Sequence, residues 1–434
     1  MSVYRQIALL VALAAAFQGS NVIAQSAHPA AAEGMSTASS AVVAGRQGPL
    51  ADSYIKARQA DPLYRGAIAD RDTNLIGARV AGVAYYPQLS VSASQLENEG
   101  GSSRRSVSVI QPLFSLERYA TMKEEDPRHR IAEASFQLQA SELAKRVYQA
   151  TANLIRARES RELNLVRIKT VAQHQRAAKR AFELGQGTIT DVRDTDVKVL
   201  QATAEDHRLR AMVAAAERDF ASIIGEPPPG LHLASLAQPQ PIAAAGIEVA
   251  GRNNPALAVA RQQERIGELG VIKARSAWLP NINASYTATE LNGRRDNLVG
   301  LTLSMPLQAG GIIGTASAGT RLTKLREDTL DAERKVKLET RRLFEAIQAG
   351  QAEVETRRAA IEAAQLSVEA NEKSLRGGVR SMVDLLNAIE IAYRLKDEHI
   401  QTILTLGDSL LQLRLQEGID PLDSLREVDA LILD

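Results

Sequence analysis

Landmarks in the first half of the chain return in the second half at a constant offset. Asp61-Pro62-Leu63 returns as Asn254-Pro255-Ala256, Tyr86-Pro87-Gln88-Leu89 as Leu279-Pro280-Asn281-Ile282, Gly225 as Gly418 and Pro228 as Pro421, each 193 positions on. Gly185 and Asp191, six apart, return as Gly378 and Asp384, also six apart. Gln111-Pro112-Leu113 matches Met305-Pro306-Leu307 at an offset of 194, so one residue was gained between them. Matches this numerous on one diagonal mark a duplication. The chain must therefore fold as two copies of one plan, over about 49–235 and 242–434, joined by the Pro-containing stretch Gln238 to Ile242.

Each copy opens with helical periodicity, over about 50–84 and 243–277, and a proline closes it. The apolar period then drops to two. Leu89, Val91 and Ala93 alternate with Ser90, Ser92 and Ser94, and Val107 and Val109 alternate with Ser106 and Ser108. Ile282, Ala284, Tyr286 and Ala288 alternate with Asn283, Ser285 and Thr287; Leu301, Leu303 and Met305 alternate with Thr302 and Ser304. Each copy thus holds one hairpin, within 87–113 and 280–307, with polar tips at Glu99–Arg105 and Asn292–Asn297. A soluble hairpin with one wet face would show the same alternation. Strands of about ten residues, however, match the length of a tilted membrane crossing. Four strands cannot seal a cylinder, since about eight is the smallest closed size, and an open edge in lipid leaves backbone groups unpaired. Such strands must be pooled between copies, and three copies give twelve.

Long helices follow. Between Leu116 and Leu184 there is one proline, Pro127, behind Glu124-Glu125-Asp126, where a kink or break is expected. Between Ile313 and Arg376 proline is absent. Leu143, Val147, Ala150, Leu154 and Ala157 step by four and three, and Val354, Ile361, Val368 and Leu375 by seven, the spacing of coiled-coil packing. The charges from Arg156 to Glu162 read as a solvated face. At the far end of each long helix lies a breaker, Gly185 to Asp191 and Gly377 to Asp384. Gly185 and Gly378 end the incoming helices, and Thr190 or Asp191 caps the outgoing one.

The N-terminus adds a destination. Arg5 precedes the apolar run Ile7–Phe17, too short for a comfortable span, and Val22-Ile23-Ala24 offers a small-residue cleavage site. Residues 1–24 are expected to be a secretory signal rather than an anchor helix, and 25–48 a flexible lead-in. The chain has no cysteine, which excludes disulfides, thiolate metal sites and a cysteine-linked lipid. Its 52 basic and 51 acidic residues give no support to a nucleic-acid partner. Gly185-Gln186-Gly187 follows no strand and precedes no Gly-Lys-Ser/Thr, so it is not a phosphate loop. The six histidines lack metal-ligand spacing. No metal, cofactor or enzymatic activity is expected.

The doubled plan of helix, Pro-initiated hairpin, long helix, Gly-x-x-x-x-x-Asp turn and return helix resembles the TolC-like outer-membrane efflux family. Phe182-Glu183-Leu184-Gly185 with Thr188-Ile189-Thr190-Asp191-Val192 is similar to that family's first turn, Gly378-Val379-Arg380-Ser381-Met382-Val383-Asp384-Leu385-Leu386 to its second, and Gln111-Pro112-Leu113-Phe114 to its second-strand ending. The resemblance covers about 49–425. It implies a mainly α chain with a small β part: a homotrimeric twelve-stranded barrel in the outer membrane, set on a twelve-helix periplasmic tunnel. It further implies an adaptor (membrane fusion protein) and an inner-membrane transporter as partners, and outer-membrane lipid around the barrel. By the same resemblance Arg380 is tied to Thr190 and Asp191 as a latch at the helical tips, and Asp384 lines the pore constriction. The chain departs from the pattern at Leu375, where the family has a latch tyrosine, and at Asn387, where better-known members carry a second acid. The implied function is the exit duct of a tripartite export system, with type I protein secretion favoured by Gln111-Pro112-Leu113-Phe114 and the missing cysteine anchor. The alternatives are the outer-membrane factor of a multidrug pump and, in another class, a soluble periplasmic coiled-coil scaffold.

Overall fold

The computed structural model describes residues 48–96, 102–230, 233, 253–305 and 310–432. The expected signal, the lead-in, the linker 238–242 and part of the first tip lie outside them. In chain order the elements are α1 (Pro49–Ala60), α2 (Pro62–Gly82), β1 (Gln88–Leu96), β2 (Ser102–Phe114), α3 (Leu116–Lys123), α4 (Glu125–Glu183), α5 (Ile189–Ile224), α6 (Pro255–Ser276), β3 (Asn281–Leu291), β4 (Arg294–Ser304), α7 (Gly310–Arg376), α8 (Met382–Gln416) and α9 (Pro421–Ile432). The fold is mainly α with one small sheet, as the sequence implies.

Several boundaries differ from the sequence reading, each for a local reason. The helix expected over 50–84 is two helices. Asp61 precedes Pro62 and is extended (φ −69°, ψ 119°), the conformation a following proline enforces. Its counterpart is described only from Pro255, and 243–252 fall outside the described residues. The break expected near Pro127 sits at Glu124, between α3 and α4. Pro127 lies in the first turn of α4, where its missing N–H has no carbonyl to serve.

The chain forms two compact units. One falls within 77–126 and 266–322 and holds the sheet, whose order is β1-β2-β3-β4, antiparallel throughout. β2 pairs with β3, so the two hairpins become one sheet with β1 and β4 as its edges. Pro112 lies beyond the end of β1, which stops at Gln88 opposite Ile110. There β2 has a partner on one side only, and the β3 register shifts between Pro112 and Phe114. The second hairpin turns on two residues alone, Asn292 (φ 48°) and Gly293 (φ 83°), a left-handed pair whose twist matches the strands. Residues 294–297, expected in the tip, therefore belong to β4. In the first hairpin 102–105 likewise belong to β2. At the sheet's base Ser115 caps α3, accepting from Arg118 N, and its carbonyl accepts from the Tyr85 hydroxyl at 2.7 Å. Glu124, buried, pairs with Lys273 at 2.7 Å.

The other unit falls within 48–76, 127–265 and 323–434 and holds two cores. The larger gathers Leu50, Tyr54, Leu143, Val147, Leu154, Phe220, Ile347, Leu411 and Leu425 from α1, α4, α5, α7, α8 and α9. The four-and-three stripe of α4 is buried along its whole length, Leu143 to Ala157. The smaller core joins Val171 and Ala178 of α4, Val192 of α5 and Met382, Leu385, Leu386 and Ile389 of α8, with Val368 and Leu375 of α7 packed against it.

Candidate functional site

Two turns, one groove and the two faces of the sheet carry the features that a transport function would use. In the first turn Gly185 adopts φ 70° and ends α4, with Gln186 N donating to Ala181 O at 2.8 Å. The cap of α5 is Thr188, not Thr190 or Asp191. Thr188 Oγ1 accepts from Asp191 N at 3.1 Å and donates to Asp191 Oδ2 at 2.7 Å, and Asp191 Oδ2 also accepts from Thr188 N at 3.3 Å. The second turn repeats the device. Gly378 has φ 71°, and Ser381 caps α8 in a reciprocal box with Asp384, whose Oδ2 accepts from Ser381 N at 3.1 Å and Oγ at 2.9 Å. Both boxes are legible as Thr188-x-x-Asp191 and Ser381-x-x-Asp384. In the first turn the cap thus stands two and three residues before the expected Thr190 and Asp191.

The Ser381 backbone hydrogen bond, then its hydroxyl, hold the Asp384 carboxyl below the usual carboxylate range, with Arg380 adding to the effect. Asp384 is therefore a half-exposed carboxylate whose charged form is favoured. Arg380 Nη1 stands 4.0 Å from Asp384 Oδ2. Among the described residues no hydrogen bond or ion pair joins Arg380 to Thr190 or Asp191. Thr190 and Asn387 are exposed, and Leu375 is absorbed into the smaller core.

The groove lies between α5 and α8 with α4 as its floor, and it has a volume of about 440 Å³. Its lining includes Arg156 from the run expected to be a solvated face, and Arg158 and Arg161 of the same run make ion pairs between helices. Arg158 pairs with Glu217 at 2.8 Å and Arg161 with buried Asp206 at 3.3 Å, tying α4 to α5. Arg156 reaches Gln401 at 3.1 Å, and Ser160 donates to Asp397, tying α4 to α8. Arg167 grips Glu390 at 2.7 Å. Asn164 donates to Ala202 O at 2.9 Å, while its buried Oδ1 has no partner among the described residues. The missed signal was the arginine spacing at 158 and 161, one turn apart and in line with the buried Leu154 and Ala157.

The sheet is two-faced. On one face Leu89–Val109–Tyr286–Val299 and Val91–Val107–Ala288–Asn297 lie in cross-strand rows, with Ala284–Leu301 and Ile282–Leu303 beyond them. Val91, Val299 and Leu301 are 72–78% exposed. On the other face Ser90 and Ser108 are bonded at 2.6 Å and Ser92 and Ser106 at 2.8 Å, continued by Thr287 and Thr289; Ile110, Leu291 and Leu298 are apolar residues on it. Among the described residues no helix is long and apolar enough to cross a membrane.

Residues 54–226 and 246–416 match the family of outer membrane efflux proteins, once per repeat. The chain is 25% identical over 387 residues to the alkaline protease secretion protein AprF of Pseudomonas aeruginosa, covering 80% of each. It is 22% identical over 384 residues to the outer membrane protein TolC of Escherichia coli, covering 80% of this chain and 78% of TolC. Its fold superposes on the outer membrane protein VceC of Vibrio cholerae with a TM-score of 0.72 at 17% identity, over 85% of this chain and 96% of that one. With most of each repeat matched, the chain belongs to the outer membrane efflux protein family and is an outer-membrane protein.

Proposed function

We propose that the chain is the outer-membrane exit duct of a tripartite export system serving type I protein secretion, working as a homotrimer with a periplasmic adaptor and an inner-membrane transporter. The observation that carries this is the sheet: four strands, one apolar and one hydroxyl-lined face, and two open edges. Three such sheets joined β4 to β1 give twelve antiparallel strands with no free edge, an apolar exterior and a wet lumen. The similarity to a protease secretion protein supports protein cargo. On this reading residues 1–24 are removed on export, 49–235 and 242–434 are the structural repeats, and the adaptor lies in the groove between α5 and α8. Arg380 with Thr190 and Asp191 forms the latch of the closed tips, and Asp384 contributes a single ring of three carboxylates at the constriction.

The test is assembly and conduction. The purified mature chain is expected to need detergent, to run at three times its chain mass in native mass spectrometry, and to open discrete channels in planar bilayers. A monomer that stays soluble without detergent would sink the proposal in favour of a periplasmic scaffold. The second reading, drug efflux, draws on the family's description as efflux proteins. Deleting the gene separates the two readings. Loss of a secreted protein with unchanged drug susceptibility supports secretion, and the reverse supports efflux.

A further inference from the structure

The last row that runs across all four strands on the hydroxyl face, before the hairpin tips, is Ser94–Arg104–Leu291–Arg294. We propose that Arg104 and Arg294 form a collar that binds polyvalent oxyanions, solutes bearing several phosphate or carboxylate groups, at the outer mouth of the pore. The proposal rests on the barrel reading above, which makes the hydroxyl face the lumen.

Both arginines are exposed, and among the described residues neither has an acidic partner. The nearest-row acid, Glu290, belongs to the opposite face, where it sits between Arg105 and Arg295 and pairs with Arg295 at 3.2 Å. The one described acid on the hydroxyl face, Asp296, lies one row deeper, opposite Thr289. The face therefore ends in guanidinium groups whose charge nothing in their own row cancels. They occur on β2 and β4, alternate strands of the sheet, two per chain and so six in a trimer. Leu291 separates them by two strand spacings, about 9–10 Å. That distance is near the Debye length at moderate salt, about 10 Å at 0.1 M. A small monovalent anion meets one guanidinium at a time, whereas an anion with several phosphates spans two or more. Each guanidinium can grip an oxyanion with two parallel N–H donors, and like charges ringing a narrow opening focus the field there.

The experiment uses the intact trimer in planar bilayers at low salt, with inositol hexakisphosphate added to one side at a time. Block is expected from the side the hairpin tips face, weakening steeply as salt is raised. Arg104→Ser/Arg294→Ser is expected to weaken it by roughly tenfold or more, the effect of about 1.4 kcal/mol. Arg105→Ser, on the opposite face, leaves the block unchanged. Arg104→Glu/Arg294→Glu abolishes polyanion block and gains block by hexaamminecobalt(III) from the same side. Channels of normal conductance that show no sided block, or equal block in wild type and both double variants, overturn the collar and leave the duct standing. If wild type opens no channels, the duct reading itself fails and the collar falls with it.

Discussion

At the scale of single residues, the duplication shows how one position can be kept while its chemistry drifts. Asp61 caps α2, accepting from Tyr64 N at 2.9 Å, and is held by both Nη atoms of Arg146 at 3.1 and 2.7 Å. Its repeat mate Asn254 caps α6, accepting from Ala256 and Leu257 N, but spends its amide on Gln416. Removing Arg146 strands a buried carboxylate, so Arg146→Ala should cost about 2–4 kcal/mol. Asn254→Ala removes mainly a cap, about 1 kcal/mol. Denaturant midpoints that reverse this order would refute the assignment. Two carboxylates should also respond to pH with opposite signs. The Arg146 hydrogen bonds hold the Asp61 carboxyl low, so its contribution is present above pH 4 and is lost as pH falls through its lowered value. Asp429 caps α1 through Leu50 and Ala51 N at 2.9 and 3.0 Å, yet burial pushes it up to about 6. A raised carboxyl contributes stability below about pH 4 that is lost as pH rises through 6. Wild type minus Asp429→Asn should therefore fall by up to about 3 kcal/mol between pH 4 and pH 7. The lost second acceptor only adds a constant offset, and a flat difference would contradict the burial argument.

At the scale of elements, what could be read in the sequence was what periodicity encodes. Val91, Val107 and Leu301 announced strands through alternation, and Leu143 to Leu154 announced a packed stripe. Both signals are local and repeat many times. The misses were single-residue events or pairings across distance. The break at Asp61 is one pre-proline residue, and Asn292-Gly293 is a two-residue turn whose signature was present but read as a longer tip. The clamp of Arg161 on Asp206 joins residues 45 apart; the spacing of Arg158 and Arg161 marks a packed side of α4 but not the partner across from it. At the candidate site the turn glycines were legible because a left-handed φ needs them, whereas the expected tie of Arg380 to Thr190 and Asp191 is not among the contacts of the described residues, where Arg380 stands by Asp384. Element packing yields its own prediction at Gly407. A Cβ there would lie 2.0 Å from Ile432 Cδ1 and 2.5 Å from Tyr148 Oη, so α8 can approach α9 and α4 only without a side chain. Gly407→Ala should cost roughly 1–3 kcal/mol, with Ile432→Ala restoring part of it. The latch proposal is tested at this scale too. Arg380→Ser should raise single-channel conductance in planar bilayers, while Ser381→Ala, which removes only a cap, should lower stability by about 1 kcal/mol and leave conductance unchanged. Equal conductance in wild type and Arg380→Ser would remove Arg380 from the latch.

At the scale of the whole molecule the decisive quantity is the number of strands per chain. A single copy presents the unpaired edges of β1 and β4 together with an apolar face on which Leu89, Val91, Val299, Leu301 and Leu303 are each more than 60% exposed. Neither feature is tolerable in water or, for the edges, in lipid. On the barrel reading proposed above, closure with other copies would remove the edges and lipid would cover the face. Folding of the sheet would then be inseparable from assembly, and its stability should depend on chain concentration. The apolar face offers the sharpest check, because a charge there is penalised only if it meets hydrocarbon. Leu301→Arg, near the middle of the apolar rows, should cost about 2–4 kcal/mol and deplete the trimer in detergent extracts. Thr302→Arg, its neighbour on the hydroxyl face, should assemble normally and alter conductance instead. If both arginines were tolerated equally, the two faces would not differ in solvent, and the sheet would have to be a soluble one with its alternation serving some other contact.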